Sequence, residues 1–597
     1  MRLYSFLIAI VLFVGLLSFE SNAQTVINIS FKVIVPKYKL KGLKSLEIRG
    51  SGEPLSWDKP TLLTKVNDSV FATELTFKPS IRAIEYKYVI NGKDWEDLAN
   101  NHIASVNNGI SVIDRFGTQG TYYPEQFRFI PKSALTADLS LIAKAVPELH
   151  AGFDRYTNQK EFIEKVSEVM KNLPNLLIDA QVYLAISEIM ATLKCGHTYA
   201  NIYNQNAVTH HLVFDRPDKL PFTLQITDKQ IYIVKNLSNL KGIEAGSEIQ
   251  SINGTPAADI IAKLLTLVKA DGDNNGKRIS DLQVTGLGKY EAFDIYFPLL
   301  FPAKKGNKYT LQILPFRSTS NLEIDITTIS RQERKDLLQK KYNINDLPAD
   351  SLFQFKLINE GKTAYLKLGT FVDYNLGLDW KKFLANAFKT IEKKKISSLI
   401  IDIRNNEGGT DNIPAELLTY ILNKPIQIEK SMDLVRYQKM KPSYASFIDT
   451  WDKSVFNFTG KVEPYQQGYF KLLNTENSLS GIKPKKKVFK GNIVLLVNEA
   501  NSSGTFLMAK IAKYNKLATL VGTETGGDNR GINAGVIGFM RLPNSKIEVD
   551  IPLIGTYYNE GKPGGVQPDI KVQVPALPFL YEKDFYLNAA LEYINRK

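Results

Sequence analysis

The chain has 597 residues, of which 44% are apolar and 23% charged, the balance of a soluble globular protein. That length exceeds one ordinary domain and points to about three or four. The net charge of +14 comes from scattered lysines, densest in KPKKKVFK at 483–490, with no nucleic-acid motif beside it; the run reads as a solvated loop and is weak grounds for an acidic partner.

The first 23 residues read as an export signal. Arg2 supplies a positive end, 6–17 is an apolar core, and Ser21-Asn22-Ala23 ahead of Gln24 is a small-residue cleavage context. The apolar core is too short for a transmembrane helix, and no cysteine follows it as a lipid-attachment point. We therefore expect a periplasmic or extracellular protein with no transmembrane segment. The single cysteine, Cys195, allows no internal disulfide, so stability must come from the cores.

Four runs with strand-like alternation follow, at 29–35, 44–50, 69–77 and 84–90, separated by turn residues. They predict an all-β sandwich over 24–117. LEIRGSGEPLSWDKP, FATELTF and IEYKYVINGKDWE resemble the starch-binding type of carbohydrate-binding module. That resemblance implies sugar stacking on Trp57 and Trp95, and a polysaccharide partner. The alternative is an immunoglobulin-like accessory domain in which both rings are core or edge residues.

A helical part is predicted over 124–212, with helix-period stretches at 134–146, 160–173 and 177–193. It ends in KCGHTYANI, where Gly196 would cap the helix and leave His197, one of five histidines, at a helix-to-strand turn. Residues 217–275 carry two strands, then GIEAGSEIQSINGTPAADIIAKLL, which resembles a PDZ domain in Gly246-Ser247-Glu248-Ile249 and Ser251-Ile252-Asn253-Gly254. Such a domain binds chain ends by adding a strand to a sheet edge; a scaffold insert without a ligand is the alternative. A connecting region, 276–362, leads into the last domain, 363–597. There TAYLKLGTF is a strand, 379–395 an amphipathic helix, and SSLIIDIRNNEGGTDN a buried strand entering a turn at Gly408-Gly409.

The stretch at 491–527 reads as strand, tight turn, helix, strand. A serine at such a turn serves either as a helix N-cap or as a nucleophile, because the unpaired N–H groups of a helix start stabilise a developing oxyanion. Glycines at 408 and 409 allow the close backbone approach that an oxyanion site needs, although a structural turn would use them equally well.

Taken in order, these motifs resemble the carboxyl-terminal-processing and tail-specific serine peptidases, a family that includes the tricorn core protease. The likeness spans roughly 131–574: CGHT resembles a DGHT motif of the tricorn-like branch, LIIDIRNNEGG resembles DLRxNxGG, VNEANSSGTFLMA resembles the nucleophile segment, and VGTETGG and GGVQPDI resemble the closing motifs. It implies an α/β core of the ClpP/crotonase-like type and a serine endopeptidase acting on peptides or protein tails through an acyl-enzyme. No cofactor and no metal are implied. The implied nucleophile is Ser503, with His197 as base, Glu560 as the carboxylate that orients it, and oxyanion donors from Gly504 and from Gly408 or Gly409. The lysine of the family's Ser–Lys branch is missing, since Asp528 follows Gly526-Gly527.

Four residues depart from the pattern: Cys195 stands where Asp is usual, Phe506 where Glu is usual, and Gly504 and Thr505 where alanines are usual. An alternative function class is therefore a catalytically weak or inactive peptide- or glycan-binding protein on a peptidase scaffold.

Overall fold

A computed structural model of the chain describes residues 26–78, 80–81, 83–96, 98, 101–106, 110–117, 129–304, 306–345, 349–374, 376–426, 429–473, 479, 481–559 and 561–596. The export signal read at 1–23 lies outside the described residues. The chain divides into two units, 1–129 and 130–597.

The first unit is two β-sheets. In one, Ile27–Ile34 runs antiparallel to Val70–Phe77 and parallel to Ile110–Arg115. In the other, Leu46–Gly50 pairs Ala83–Ile90, which also pairs His102–Ser105. Ile29, Phe31 and Val33 alternate along their strand and are fully buried, so one face of that sheet supplies core and the other meets solvent. Ile48, Ile84, Tyr86 and Tyr88 from the second sheet join the same core. Within it His102 Nε2 donates to the Glu96 carboxylate at 3.1 Å, and Tyr86 and Tyr88 donate to Asp114 at 2.9 and 2.7 Å.

The second unit opens with helices Lys132–Leu149, Gln159–Asn172 and Asp179–Ala191. Asn158 caps the second by accepting from the Glu161 N–H. A sheet then begins at Phe222–Ile226 and Ile231–Asn236. Its boundary differs from the sequence expectation, which ended the module at 275. The strand Glu248–Ile252 pairs Lys308–Leu314, which pairs Leu322–Thr327, so the sheet takes two strands from the region read as a connector. Helices Asn275–Leu282 and Ala292–Leu300 are inserted between its strands. Such pairing across a long insertion leaves no local trace in a sequence. Arg334, fully buried, closes this region against Asp294, which it meets with both terminal nitrogens.

The sheet that positions the site has the order Phe353–Ile358, Thr363–Leu368, Ser398–Asp402, Asn492–Val497, Thr519–Gly522 and Ile570–Lys571, parallel after the first pair. Both faces are covered, which explains the unbroken apolar runs. Leu399, Ile401, Leu495 and Val497 point to the face packed by helices Trp380–Lys393 and Ser503–Tyr514. Ile400, Val494 and Leu496 point to the face packed by the C-terminal helix Phe585–Arg596. Ser398–Asp402 and Asn492–Val497 are neighbours, so the loops leaving their carboxyl ends, 403–411 and 498–502, lie side by side. Among the described residues no helix is long and apolar enough to cross a membrane.

Candidate functional site

The two loops are laced together by asparagines. Asn405 N–H donates to Asn498 Oδ1 at 3.0 Å and Asn498 Nδ2 returns a bond to Asn405 Oδ1 at 2.8 Å. Asn501, fully buried, donates to the carbonyls of Ile403 and Asn406, and Thr505 Oγ1 donates to the Asn406 and Ser502 carbonyls. Asn498, Asn501 and Thr505 are buried, and polar side chains this deep hold their place only while their hydrogen bonds are made, so the lacing fixes the loops' relative position. Asn405, Asn406, Asn498 and Asn501 were not singled out from the sequence. The signal available was their place in the polar stretches that follow two apolar strands.

Ser503 stands at the start of helix Ser503–Tyr514 with φ +52°. A non-glycine residue in the left-handed region is strained, and strain of this kind gathers at functional turns. Ser502 is the residue before the helix, but its side chain does not cap it; its hydroxyl donates to the Glu407 carbonyl at 3.1 Å. Among the described residues the Ser503 hydroxyl makes no hydrogen bond, to His197 or to any other group.

Gly408 and Gly409 face this turn with φ +111° and +138°. A Cβ on Gly408 would lie 2.9 Å from the Gly504 nitrogen and 2.9 Å from Ser503 Cβ, and one on Gly409 would lie 2.2 Å from the Phe371 carbonyl carbon. Gly504, too, is close: its Cβ would sit 3.3 Å from the Gly409 oxygen. Ser503, Gly504, Gly408 and Gly409 are thus brought together. The three glycines are not equivalent donors. Gly408 N–H is committed to Asn406 Oδ1 at 2.9 Å, whereas among the described residues the N–H groups of Gly409 and Gly504 have no acceptor.

His197 lies on the turn after helix Asp179–Ala191. The left-handed residue that ends the helix is Lys194, at φ +47°, and not Gly196 as the sequence implied. Gly196 is required for a different reason: the Asp271 carboxylate packs against it, 3.0 Å from where a Cβ would be, and accepts its N–H at 2.9 Å. On the other side of the turn His150, fully buried, meets Thr198 Oγ1 through Nε2 at 2.8 Å while its Nδ1 accepts the Gly152 N–H. That pattern makes His150 a neutral donor, and burial, with the charge of Arg155, holds its pKa down at about 3. Cys195 is buried beneath the turn, accepts from Asn533 Nδ2, and has its thiol pushed up to about 11, chiefly by burial.

The imidazole of His197 is half-buried and its Nδ1 is a buried atom with no partner among the described residues. Burial lowers its pKa below 6.5; the charge of Asp271 pulls it up, and those of Lys269 and Lys277 push it down. Lys277 also reaches the glycine loop, where its ammonium pairs with Glu407 at 3.5 Å, besides pairing with Asp281 at 2.6 Å. Glu560 lies outside the described residues.

The departures from the expected motifs have packing roles. Phe506 is fully buried, with its ring 2.3 Å from where a Cβ on Gly527 would be. Asp528 is buried and paired with Arg530 at 2.9 Å. The closing motif docks on the strand before it, with Val566 N–H donating to Thr525 Oγ1 and Leu520 N–H to Asp569. Among the described residues no group of His, Cys, Asp and Glu side chains is arranged to hold a metal ion.

Residues 362–572 match the family described as Peptidase family S41. No curated protein matches the chain. Among solved structures, mature CPAF complexed with lactacystin is similar at 16% identity and a TM-score of 0.51, over 78% of this chain and 97% of that one. Mature CPAF alone is similar at 16% identity and a TM-score of 0.50, over 78% and 96%. At that identity the likeness is one of fold. The matched segment contains Ser503 and all three glycines, while His197 and Asp271 lie outside it.

In the first unit the rings of Trp57 and Trp95 lie 6.3 Å apart at 31°, with Trp95 43% exposed and Trp57 half-buried. The Arg49 guanidinium lies 5.4 Å from the Trp95 ring centre.

Proposed function

We propose that the protein is a serine peptidase that hydrolyses peptide bonds through an acyl-enzyme on Ser503. The observation that carries the reading is the strained Ser503 at a helix start, facing the Gly408-Gly409 turn, with the N–H groups of Gly409 and Gly504 uncommitted among the described residues. In this mechanism Ser503 Oγ attacks the scissile carbonyl and His197 takes its proton. The carbonyl oxygen, now negative, is held by the N–H groups of Gly504 and Gly409, donors aimed at charge that exists only in the transition state. His197 then gives the proton to the leaving amine, and water, deprotonated by the same ring, releases the acyl group. Glu560 is the carboxylate assigned to the ring's orientation.

A fluorophosphonate probe tests the reading. It should label the wild type and Ser502→Ala but not Ser503→Ala, and peptide hydrolysis should follow the labelling. Turnover retained in Ser503→Ala would remove the assignment. Endopeptidase action on protein tails, export by the leader at 1–23, and a PDZ-like role for the sheet from Phe222 to Thr327 belong to the same proposal; the last predicts that strand addition at that sheet's edge binds substrate chain ends.

A second reading concerns the first unit only. Two neighbouring indole rings, one exposed, form a surface on which the apolar face of a sugar can stack. Trp95→Ala should lower retention on an α-glucan column and leave peptide hydrolysis intact; unchanged retention of both proteins would dispose of the idea.

A further inference from the structure

The loop that follows helix Ala257–Leu265 is clipped to the turn bearing His197 by bonds in both directions. Gly196 N–H donates to Asp271 Oδ1 at 2.9 Å, Gly272 N–H donates to the Lys194 carbonyl at 2.8 Å, and Lys194 Nζ reaches Asp273 at 2.6 Å. Asp271 is 3% exposed. Its second carboxylate oxygen lies against Gly196, where any Cβ would stand only 3.0 Å away. A buried carboxylate is costly unless it serves the groups around it, and the residue next along the chain is His197.

We propose that Asp271 is a positioning residue for His197: it fixes the turn through the Gly196 N–H, and its negative charge supports the imidazolium that forms when the ring accepts the Ser503 proton. This rests on the reading of His197 as the base. Because Nδ1 of His197 has no hydrogen-bond partner among the described residues, the support acts through space. Among the described residues, which do not include Glu560, the other charges around the ring do not supply it. Lys269 and Lys277 oppose the imidazolium. The carboxylates of Asp281 and Glu407 are engaged by Lys277, at 2.6 and 3.5 Å, and the Cys195 thiol is neutral at working pH. Lys269 itself lies over the Tyr199 ring, 5.0 Å from its centre. Burial lowers the His197 pKa, and among the described residues Asp271 is the charge that counters it.

The test is the pH dependence of kcat/KM and kcat for the full chain, wild type against Asp271→Asn, Asp271→Ser and Asp271→Glu. Asn keeps an acceptor for the Gly196 N–H and removes the charge; Ser is the second charge-free variant should Asn not fold. In either neutral variant kcat should fall roughly ten-fold or more, part of the roughly 10²–10⁴ that a general base is worth. KM should hold, and the acid limb should move to lower pH, because a ring without its anion loses its proton more readily. Asp271→Glu should keep the limb where it is in the wild type. An unmoved limb in both neutral variants overturns the proposal, whether kcat falls or not, since a purely structural role lowers activity without shifting the titration. His197→Ala separates the two readings. If it retains turnover, the base assignment fails and the proposal with it; if it is inactive while the limb of the neutral variants stays fixed, only the role of Asp271 is lost.

Discussion

Replacing the site's glycines one at a time should produce a graded loss that follows the space around each Cα. In Gly409→Ala the new Cβ would lie 2.2 Å from the Phe371 carbonyl carbon and 2.3 Å from the Val372 nitrogen, both backbone atoms that cannot swing aside. The residue would also hold φ +138°, a region essentially closed to alanine. Backbone strain of about 1–3 kcal/mol and overpacking of about 1–3 kcal/mol together give roughly 2–6 kcal/mol. At about 2 °C per kcal/mol, the low end for larger domains, Tm should drop by roughly 4–12 °C. The same displacement moves an oxyanion donor, so kcat should fall by roughly 10²–10³. Gly408→Ala meets the Gly504 nitrogen and the Ser502 oxygen at 2.9 Å and should lie between. Gly504→Ala, without a positive φ and with its nearest contact at 3.3 Å, should cost least in stability. Differential scanning calorimetry and single-turnover hydrolysis of a fluorogenic peptide measure the two quantities. If Gly409→Ala matches the wild type in both, the turn is not closely packed against Phe371 and the argument for the Gly409 donor falls with it.

Three other outcomes are expected. An unperturbed histidine base would set the acid limb of activity near about pH 6.5; burial lowers the His197 pKa, so the limb should lie below 6.5, and a limb above it would show that the ring is not desolvated. In the first unit, burial alone would depress His102, but the hydrogen bond to Glu96 and the charge of Asp114 outweigh it and the opposing Lys87, and raise its pKa above 6.5. The stability this contributes is fully present below pH 6.5 and is lost as pH rises through the folded value; unfolding followed by tyrosine fluorescence should show that slope in the wild type and lose it in His102→Gln. Finally, Asp294→Ala leaves Arg334 buried without its bidentate partner and should destabilise the second unit by about 3–5 kcal/mol, read from chemical denaturation; a change under about 1 kcal/mol would mean that water reaches the guanidinium.

Much of the frame was legible in the residues. Buried parallel strands show as continuous apolar runs, and the runs at 398–402 and 492–497 took their places in the central sheet because both of its faces are covered. The helix starting at Ser503 follows from its 3.6-residue apolar period, and the serine turn and the Gly-Gly turn can each be read from local chemistry. These features are encoded within windows of about ten residues, where periodicity and turn preference act.

What the tertiary structure decided is everything that depends on residues far apart in the chain. The sheet from Phe222 draws strands from beyond 300, because hydrogen-bond pairing is blind to the length of an insertion. Gly408 and Gly409 look alike in sequence, yet only the first N–H is consumed, by Asn406. Gly196 reads as a helix cap and is instead the gap that admits Asp271, 75 residues away. Ser502 and Ser503 are adjacent and identical, and the choice between them rests on one backbone angle and on which hydroxyl is already bonded. Charge, desolvation and steric fit are properties of neighbours in space, and a sequence specifies neighbours only along the chain.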